Sequence, residues 1–324
     1  MTNVLVTGCT GFIGSNLCIK LVEQGYNVYA LIRHTSKQDR RSLEKVLDRI
    51  KFIEGDLTVY HSVRSAIQTS NANTIIHLGA LTPVRLSFED PFPYLNVNFL
   101  GTCNVVHSIL EASPRTRLVY GSTAEVYGWQ KEEPIKESSN LKPSSPYGVS
   151  KSAADEYVQM ANVVYGLRST ILRCNNTYGR KGEHGFLVEQ TITSIIKGGP
   201  VYVGAPEHIR DYMYVDDHVN AYLLALEKEK SEGEVFNVSP GNPISNVEIT
   251  RKIARMMNYD GKIVEGSYPP GYPIRPAHFD TKYIVLDSSK IRNTLGWKPM
   301  VTLDQGLKIT VDYWITNDLE ILIK

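Results

Sequence analysis

The chain has 324 residues, 42% of them hydrophobic, and a formal net charge of +1. This length allows one large domain or two coupled ones, and the apolar content is enough for a substantial core, so global disorder is excluded. The small net charge gives no support for binding nucleic acid or a membrane surface through bulk charge.

Apolar segments alternate with longer amphipathic segments through the first half of the chain. Short apolar runs predict strands at residues 4–7, 27–32, 51–53, 74–78, 117–120 and 169–173. Helical patterns lie between them, notably at residues 13–24, 97–112 and 146–165. This alternation predicts an α/β fold, a doubly wound parallel sheet with helices on both faces.

The pattern changes after about Asn176, where glycine and proline become denser and the strands become shorter and less regular. We therefore expect a smaller C-terminal α+β region packed on the first. The predicted division places residues 1–175, with about 211–238, in the sheet domain. Residues 176–210 and 239–324 form the second domain in this prediction.

A glycine-rich turn joins the first predicted strand to the first predicted helix. Gly8 permits the sharp turn, Gly11 lets the backbone approach a pyrophosphate, and Gly14 lets helix and strand pack closely. The helix N-terminus then offers free N–H groups and partial positive charge to phosphates. The turn predicts a bound dinucleotide.

The residues after the second predicted strand indicate which dinucleotide is bound. An acidic residue there would hold the ribose hydroxyls of NAD. This chain instead has Arg33, followed by the hydroxyls of Thr35 and Ser36. Because a guanidinium can bind a 2′-phosphate, we expect NADP, with NAD as the alternative. Asp56, beyond the third strand, is placed to hydrogen-bond the adenine, unless it only caps the next helix.

Tyr147 and Lys151 lie four residues apart on one face of a predicted helix. Ser145 is the expected N-cap of this helix and Pro146 its first residue. A phenol has an unperturbed pKa of about 10, and a neighbouring ammonium favours the phenolate. Tyr147 could then take a hydroxyl proton while hydride leaves the same carbon.

Thr123 and Glu125 follow the predicted strand at residues 117–120. The carboxyl ends of parallel strands are where such sheets place their sites. Thr123 could hydrogen-bond the substrate oxygen that Tyr147 deprotonates, and Glu125 could act as a general base. The expected catalytic residues are thus Thr123, Glu125, Tyr147 and Lys151, although an exposed loop carboxylate without a role is the alternative for Glu125.

Taken together, these motifs resemble the extended short-chain dehydrogenase/reductases that act on nucleotide sugars. The resemblance covers nearly the whole chain and rests on residues 7–14, 55–57, 77–80, 123–128, 147–151, 173–179, 210–217, 275–278 and 295–299. It implies a Rossmann sheet with a smaller C-terminal substrate domain and a nucleotide diphosphate sugar as substrate. It also implies a homodimer built on the helices at 97–112 and 146–165.

The same resemblance implies two sets of binding residues. The cofactor would contact Gly8, Gly11, Phe12, Ile13, Gly14, Arg33, Asp56, Leu57, Leu78, Ala80, Tyr147 and Lys151. The substrate would contact Thr82, Thr123, Asn176, Tyr202, Arg210 and Arg275. Two arginines also suit a diphosphate on physical grounds.

Members of this family oxidise the sugar at C4 and then diverge. A 4,6-dehydratase needs a base near C5, and Glu125 matches the glutamate that fills this role. Many dTDP-glucose 4,6-dehydratases carry an aspartate acid before that glutamate, where this chain has Ala124. Arg33 and residues 180–186 resemble GDP-mannose 4,6-dehydratases. We therefore expect a 4,6-dehydratase, with a 4-epimerase or a UDP-glucuronate decarboxylase as alternatives.

The remaining expectations concern metals, compartment and loss of function. The four cysteines form no CxxC pair and no ligand spacing with histidine, so no zinc site is predicted. No apolar run approaches the ~18 residues of a membrane helix, so we expect a cytoplasmic protein without membrane or nucleic-acid partners. A cofactor sensor without catalysis is a remote alternative, because it should have lost Tyr147 or Lys151.

Overall fold

The computed structural model describes residues 2–34, 41–180, 185–272, 276 and 281–321. Its strands are, in chain order, β1 (Asn3–Thr7), β2 (Asn27–Ile32), β3 (Ile50–Glu54), β4 (Thr74–His77), β5 (Arg117–Thr123), β6 (Ser169–Cys174), β7 (Thr177–Tyr178), β8 (Val201–Val203), β9 (Ile209–Asp211), β10 (Met213–Tyr214), β11 (Val235–Val238), β12 (Pro243–Ser245), β13 (Ile263–Glu265) and β14 (Tyr283–Ile284).

The α-helices are α1 (Phe12–Glu23), α2 (Tyr60–Ser70), α3 (Leu86–Glu89), α4 (Phe92–Tyr94), α5 (Gly101–Ala112), α6 (Pro146–Tyr165), α7 (Leu187–Ile196), α8 (Val215–Glu227), α9 (Asn246–Met256), α10 (Ser289–Leu295) and α11 (Leu303–Ile321). A π-helical segment, Leu95–Leu100, runs directly into α5. The 3₁₀ segments of the described residues include Arg41–Arg49, Ala124–Val126 and Glu229–Ser231.

Seven parallel strands form the central sheet, in the order β11-β6-β5-β4-β1-β2-β3. One core lies between the sheet and α1 and α8, and the other lies between the sheet and α2, α5 and α6. Between β1 and β4 the strand order reverses, which opens a crevice at the carboxyl ends of these strands. The predicted doubly wound α/β fold is confirmed.

The six predicted strands are all present, but β5 continues to Thr123 and β11 was not predicted. The predicted helix at 97–112 is α-helical only from Gly101 onward. Its first residues form a π-helix, which has wider turns than an α-helix. The side chain of Asn98, in this segment, is buried. That amide contacts the N–H and the carbonyl of Leu81 at 2.8 and 3.0 Å.

The C-terminal half contributes three small sheets, ordered β12-β9-β14, β10-β7 and β13-β8. Helices α7, α9 and α11 pack against one another beside them. The predicted division of the chain into two domains stays a prediction. Over the ranges that the structure describes, no helix combines the length and the hydropathy needed to cross a membrane.

Candidate active site

The glycine turn between β1 and α1 has the geometry of a phosphate-binding turn. Gly8 adopts a positive φ of 72°, which favours glycine. A Cβ on Gly14 would lie 2.1 Å from the carbonyl oxygen of Gly8, so the helix can approach the turn this closely only with glycine there. Gly11 is the N-cap of α1 and brings no capping side chain. The first N–H groups of α1 are therefore available to a dinucleotide diphosphate.

A cleft of about 520 Å³ opens at the carboxyl edge of the sheet. Most of the predicted site residues line it: Gly8, Gly11, Phe12, Ile13, Gly14, Leu78, Ala80, Thr82, Thr123, Glu125, Tyr147, Lys151, Asn176, Tyr202 and Arg210. Residues from the sheet and from the C-terminal half thus face one cavity. The structure therefore brings the predicted cofactor and substrate residues together.

The remaining predicted residues lie elsewhere. Arg33 is exposed just after β2, and Asp56 and Leu57 follow β3 at the same edge of the sheet, outside the lining of the cleft. Asp56 Oδ1 accepts hydrogen bonds from the N–H and the hydroxyl of Thr58, at 2.8 and 2.7 Å. Its predicted contact with adenine stays a prediction. Arg275, Thr35 and Ser36 lie outside the described residues.

Helix α6 presents Tyr147 and Lys151 to the cleft. It begins as predicted, with Pro146 in the first position and the Ser145 hydroxyl accepting the N–H of Gly148 at 3.0 Å. The N–H of Tyr147 donates to the Ser87 hydroxyl at 3.1 Å. Hydrogen bonds to Ser145 and Ser87 therefore hold the first turn of α6 and fix the position of Tyr147.

Burial controls the ionisation of this pair in the unliganded protein. It raises the pKa of Tyr147, an effect opposed by a hydrogen bond from Thr123 and increased by the charge of Glu125. Burial also lowers the pKa of Lys151 to about 7, against the attraction of Asp155. The Lys151 ammonium donates to the carbonyl of Gly121 at 2.6 Å. Tyr147 is thus a neutral phenol here, and it lies close enough to Thr123 and Glu125 for both to shift its pKa.

A buried ion pair lies behind the cleft. Asp155 of α6 and Arg173 of β6 form two hydrogen bonds, at 2.8 and 3.0 Å, and their side chains are 0% and 3% exposed. Asp155 also accepts from the Ser122 hydroxyl at 2.5 Å, next to Thr123. Sequence reasoning missed this role, although Arg173, the one charged residue of the predicted strand at 169–173, was a usable signal.

His77 links the end of β1, just before the glycine turn, to the first turn of α5. It contacts the hydroxyls of Thr7 and Thr102, at 2.6 and 3.1 Å. Burial, and then the nearby charge of Lys151, lower the pKa of His77 to about 3. His77 is therefore a neutral hydrogen-bonding link at physiological pH and not an acid or base.

The lining of the cleft also includes residues that the sequence did not single out. Arg85 lies 4.1 Å from the centre of the Tyr272 ring and donates to the carbonyl of Gly185 at 3.0 Å. Tyr272 in turn stacks on Tyr268, with ring centres 5.6 Å apart. These side chains come from distant loops without a shared motif, so only the folded chain brings them together.

The predicted phosphate ligand Arg210 also lines the cleft. Its guanidinium donates to the carbonyls of Ile209 and Thr281, each at 2.8 Å. Among the described residues there is no group of three or more His, Cys, Asp or Glu side chains that could hold a metal ion.

Comparison with known proteins gives one family. The family model described as GDP-mannose 4,6 dehydratase matches residues 5–310. A dTDP-glucose 4,6-dehydratase of Xanthomonas campestris pv. campestris (strain B100) is 32% identical, over 98% of this chain and 94% of its own length.

Solved structures show the same likeness. The dTDP-glucose 4,6-dehydratase DesIV of Streptomyces venezuelae, determined with NAD, is 27% identical with a TM-score of 0.87, over 98% of both chains. The UDP-glucose 4-epimerase of Thermotoga maritima, determined with UDP-glucose, is 30% identical with a TM-score of 0.87, over 97% of this chain and 99% of its own.

Replacing Lys151 by Met should change how stability depends on pH. The unfolded chain holds this proton up to an ordinary pKa of 10.5, whereas the folded protein releases it near 7. The wild-type free energy of unfolding should therefore rise, relative to the variant, between about pH 7 and pH 10.5, by up to about 1.4 kcal/mol per pH unit. Urea denaturation at pH 7 and pH 9 measures this difference.

Lys308→Met is the matched control, because Lys308 is exposed in an ion pair with Asp312. It should follow the wild-type pH dependence. Parallel curves for Lys151→Met and wild type would contradict the assigned ionisation.

Proposed function

We propose that this chain, which belongs to the GDP-mannose 4,6 dehydratase family, is a nucleotide-sugar 4,6-dehydratase. The observation that carries the proposal is the meeting of Thr123, Glu125 and Tyr147 in one cleft, where Thr123 and Glu125 both act on the ionisation of Tyr147. The carboxylate of Glu125 beside the phenol is the additional base that a dehydration needs after oxidation at C4. The names of the relatives support the same reaction.

The chain's own residues divide the work as follows. Tyr147, once ionised beside the Lys151 ammonium, accepts the proton of the C4 hydroxyl, while Thr123 hydrogen-bonds the same oxygen. Glu125 removes the C5 proton of the 4-keto sugar. Since Ala124 has no proton to donate, we assign to Glu125 the return of that proton to the departing C6 hydroxyl, which leaves as water. C5 then takes up a proton from solvent as C6 is reduced, and Tyr147 releases to solvent the proton that it accepted from the C4 hydroxyl, so the net change is the loss of one water.

A nicotinamide dinucleotide, when bound at the glycine turn, supplies the hydride acceptor for C4 and the hydride donor for C6. The cradle formed by Gly8, Gly11 and Gly14 fits its diphosphate. We propose NADP as the preferred form, with Arg33 binding the 2′-phosphate. The NAD found in DesIV supports the alternative, NAD, for this chain.

The substrate is a nucleotide diphosphate sugar in this proposal. Asn176, Arg210 and Arg275 would bind the diphosphate, and Tyr202 would lie beside the base. The UDP-glucose held by the Thermotoga maritima enzyme supports this substrate class.

A 4-epimerase is the second candidate. The missing acid at Ala124 favours it, because an epimerisation expels no hydroxyl. The 30% identity to the Thermotoga maritima UDP-glucose 4-epimerase points the same way. The mass of the product separates the two, since dehydration removes one water and epimerisation leaves the mass unchanged.

We propose a homodimer that packs α5 and α6 against their copies. Apolar side chains on these helices and on the segment before α5 are exposed: Leu100, Val149 and Val164 are 50%, 46% and 63% accessible. Burying such side chains is the ordinary driving force for association.

We also place the reaction in the cytoplasm. All four cysteines, Cys9, Cys18, Cys103 and Cys174, are reduced, and three of them are buried. A reducing compartment accommodates this state.

Glu125→Gln should stop dehydration but still allow oxidation at C4. With a panel of UDP-, dTDP-, GDP- and CDP-sugars, the variant should show reduced-cofactor absorbance without loss of water, and turnover should fall by about 10²-fold or more, the usual contribution of a general base. Mass spectrometry of the products measures the reaction. Tyr147→Phe should lose both steps yet still bind the cofactor.

The control is Glu132→Gln, which changes an exposed carboxylate of the following loop and should keep full turnover. A Glu125→Gln protein with full turnover and a product of unchanged mass would contradict the dehydratase and establish an epimerase.

Arg33→Ala should discriminate between the two cofactors. Losing a charged hydrogen bond to the 2′-phosphate should weaken NADP binding by about ten-fold or more, while NAD binding should change little. Titration with NADPH and NADH, followed by fluorescence, measures both dissociation constants. Arg115→Ala, an exposed arginine before β5, is the control. Equal weakening of both cofactors argues against the phosphate contact.

Leu100→Glu should shift the protein from dimer to monomer, because it places a charge in the proposed interface. Light scattering after size-exclusion chromatography measures the mass. Ile315→Glu alters a side chain of similar exposure, 58%, on α11 and should leave the dimer intact. A wild-type protein that runs as a monomer overturns the proposal.

A further inference from the structure

Arg85 is a cation of the cleft to which the proposed function gives no role. It lies just before α3 and lines the cleft. Its Nη1 donates to the carbonyl of Gly185 at 3.0 Å and contacts the hydroxyl of Tyr272. The Tyr272 ring centre lies 4.1 Å from its guanidinium carbon. In the described part of the chain, these neutral groups are the hydrogen-bond partners of Arg85, and both contact the same nitrogen.

The other edge of this guanidinium is unpaired. Its Nε is buried and has no hydrogen-bond partner among the described residues. Its Nη2 makes no hydrogen bond with them either, and no described aspartate or glutamate forms an ion pair with Arg85. Nε and Nη2 form an edge with which arginine binds two oxygens of a phosphate or carboxylate. Since an unsatisfied buried N–H is costly, this edge is suited to an anionic ligand.

Contacts connect Arg85 to the proposed reaction centre. Two residues further along the chain, the Ser87 hydroxyl accepts the N–H of Tyr147 at 3.1 Å. Burial raises the pKa of Tyr94, and the charge of Arg85 opposes this rise. The ring of Tyr94 in turn lies edge-on to that of Tyr147, with centres 6.4 Å apart. Because Tyr147 contacts the sugar at C4 in the proposed function, Arg85 lies beside the proposed position of the sugar.

Aromatic contacts also connect Arg85 to the proposed position of the base. Tyr272 stacks on Tyr268, with ring centres 5.6 Å apart and planes 9° from parallel. Tyr268 packs against Gly204, where an added Cβ would lie 2.1 Å from its ring. Gly204 follows β8, which carries Tyr202, the residue proposed to lie beside the base. The diphosphate is the anionic group that joins the sugar to the nucleoside, so it is the part of the substrate that suits Arg85.

We propose that Arg85 binds the β-phosphate of the nucleotide sugar, the phosphate that is bonded to the sugar. This inference rests on the proposed function for the identity of the substrate. The neutral contacts at Nη1 hold the side chain in place, so its charge and its other edge remain for phosphate oxygens. Because Arg85 and Ser87 belong to one short segment, the β-phosphate is bound next to the residue that positions Tyr147.

The test compares nucleotides that differ by one phosphate. UDP, dTDP, GDP and CDP, and the corresponding nucleoside monophosphates, are titrated calorimetrically into the full-length protein. For the base that binds, the ratio of the two dissociation constants gives the preference for diphosphate. In Arg85→Met this preference should fall by about ten-fold or more, the effect of losing a hydrogen bond to a charged group. The dissociation constant of NADH, measured by fluorescence, should stay as in the wild type.

Two further variants complete the test. Arg251→Met is the control for loss of one arginine, because Arg251 forms an exposed ion pair with Glu265 outside the cleft. It should keep the diphosphate preference of the wild type. Arg85→Gln removes the charge but keeps an amide donor for the carbonyl of Gly185. It should show the same loss as Arg85→Met, and it decides the matter if Arg85→Met does not fold.

Three results overturn the inference. If Arg85→Met keeps the diphosphate preference of the wild type, including the case in which both nucleotides bind more weakly by the same factor, Arg85 does not bind the β-phosphate. If this variant weakens NADH binding and not the diphosphate preference, the anion belongs to the cofactor. The proposed function stands in both cases. If no nucleotide of the panel binds the wild type, the proposed substrate class fails together with the inference.

Discussion

The buried pair of Asp155 and Arg173 is the constraint on which the geometry of the cleft depends. Asp155 belongs to the helix that carries Tyr147 and Lys151, and Arg173 belongs to the strand that leads to Asn176. The hydroxyl of Ser122 joins them from a third element, one residue before Thr123. Removing one partner of such a pair leaves an uncompensated charge in the interior, a cost of about 3–5 kcal/mol. The pair therefore fixes α6, β5 and β6 relative to one another.

A second polar chain connects the glycine turn with the opposite side of the cleft. Thr7 contacts His77, His77 contacts Thr102, and the Thr102 hydroxyl donates to the carbonyl of Asn98. The amide of Asn98 then donates to the hydroxyl of Ser150, beside Lys151. Because these groups are buried and hydrogen-bonded, displacing one would leave others unsatisfied. This chain of hydrogen bonds thus fixes the position of the glycine turn relative to α6.

Positively charged side chains are concentrated in the cleft, although the net charge of the protein is small. The whole chain has a net charge of only +1, yet Lys151, Arg180 and Arg210 all line one cleft. Field lines between low-dielectric walls are focused, so a few fixed cations matter more there than the overall balance. Such an arrangement suits an anionic ligand.

The sequence by itself determined the local features of this protein. The glycines of the turn, the Ser145–Pro146 start of α6 and the spacing of Tyr147 and Lys151 depend only on backbone conformation and helical period, so a short segment reveals them. The parallel sheet followed from alternating apolar and amphipathic segments. Strand β11 could not be predicted from the sequence, because its four residues form a short apolar segment interrupted by Asn237.

Only the tertiary structure decided which distant side chains share the cleft. The contact between Arg85 and Tyr272 spans 187 positions of the chain, and neither residue belongs to a local motif. The same holds for Arg180, which lies against the rings of both Phe12 and Phe186. Burial also shifted the pKa of Lys151 and His77, and burial is a property of the folded surroundings. The local sequence pattern thus specified which side chains belong to the site. Tertiary packing specified which residues surround them, their ionisation and their hydrogen-bond partners.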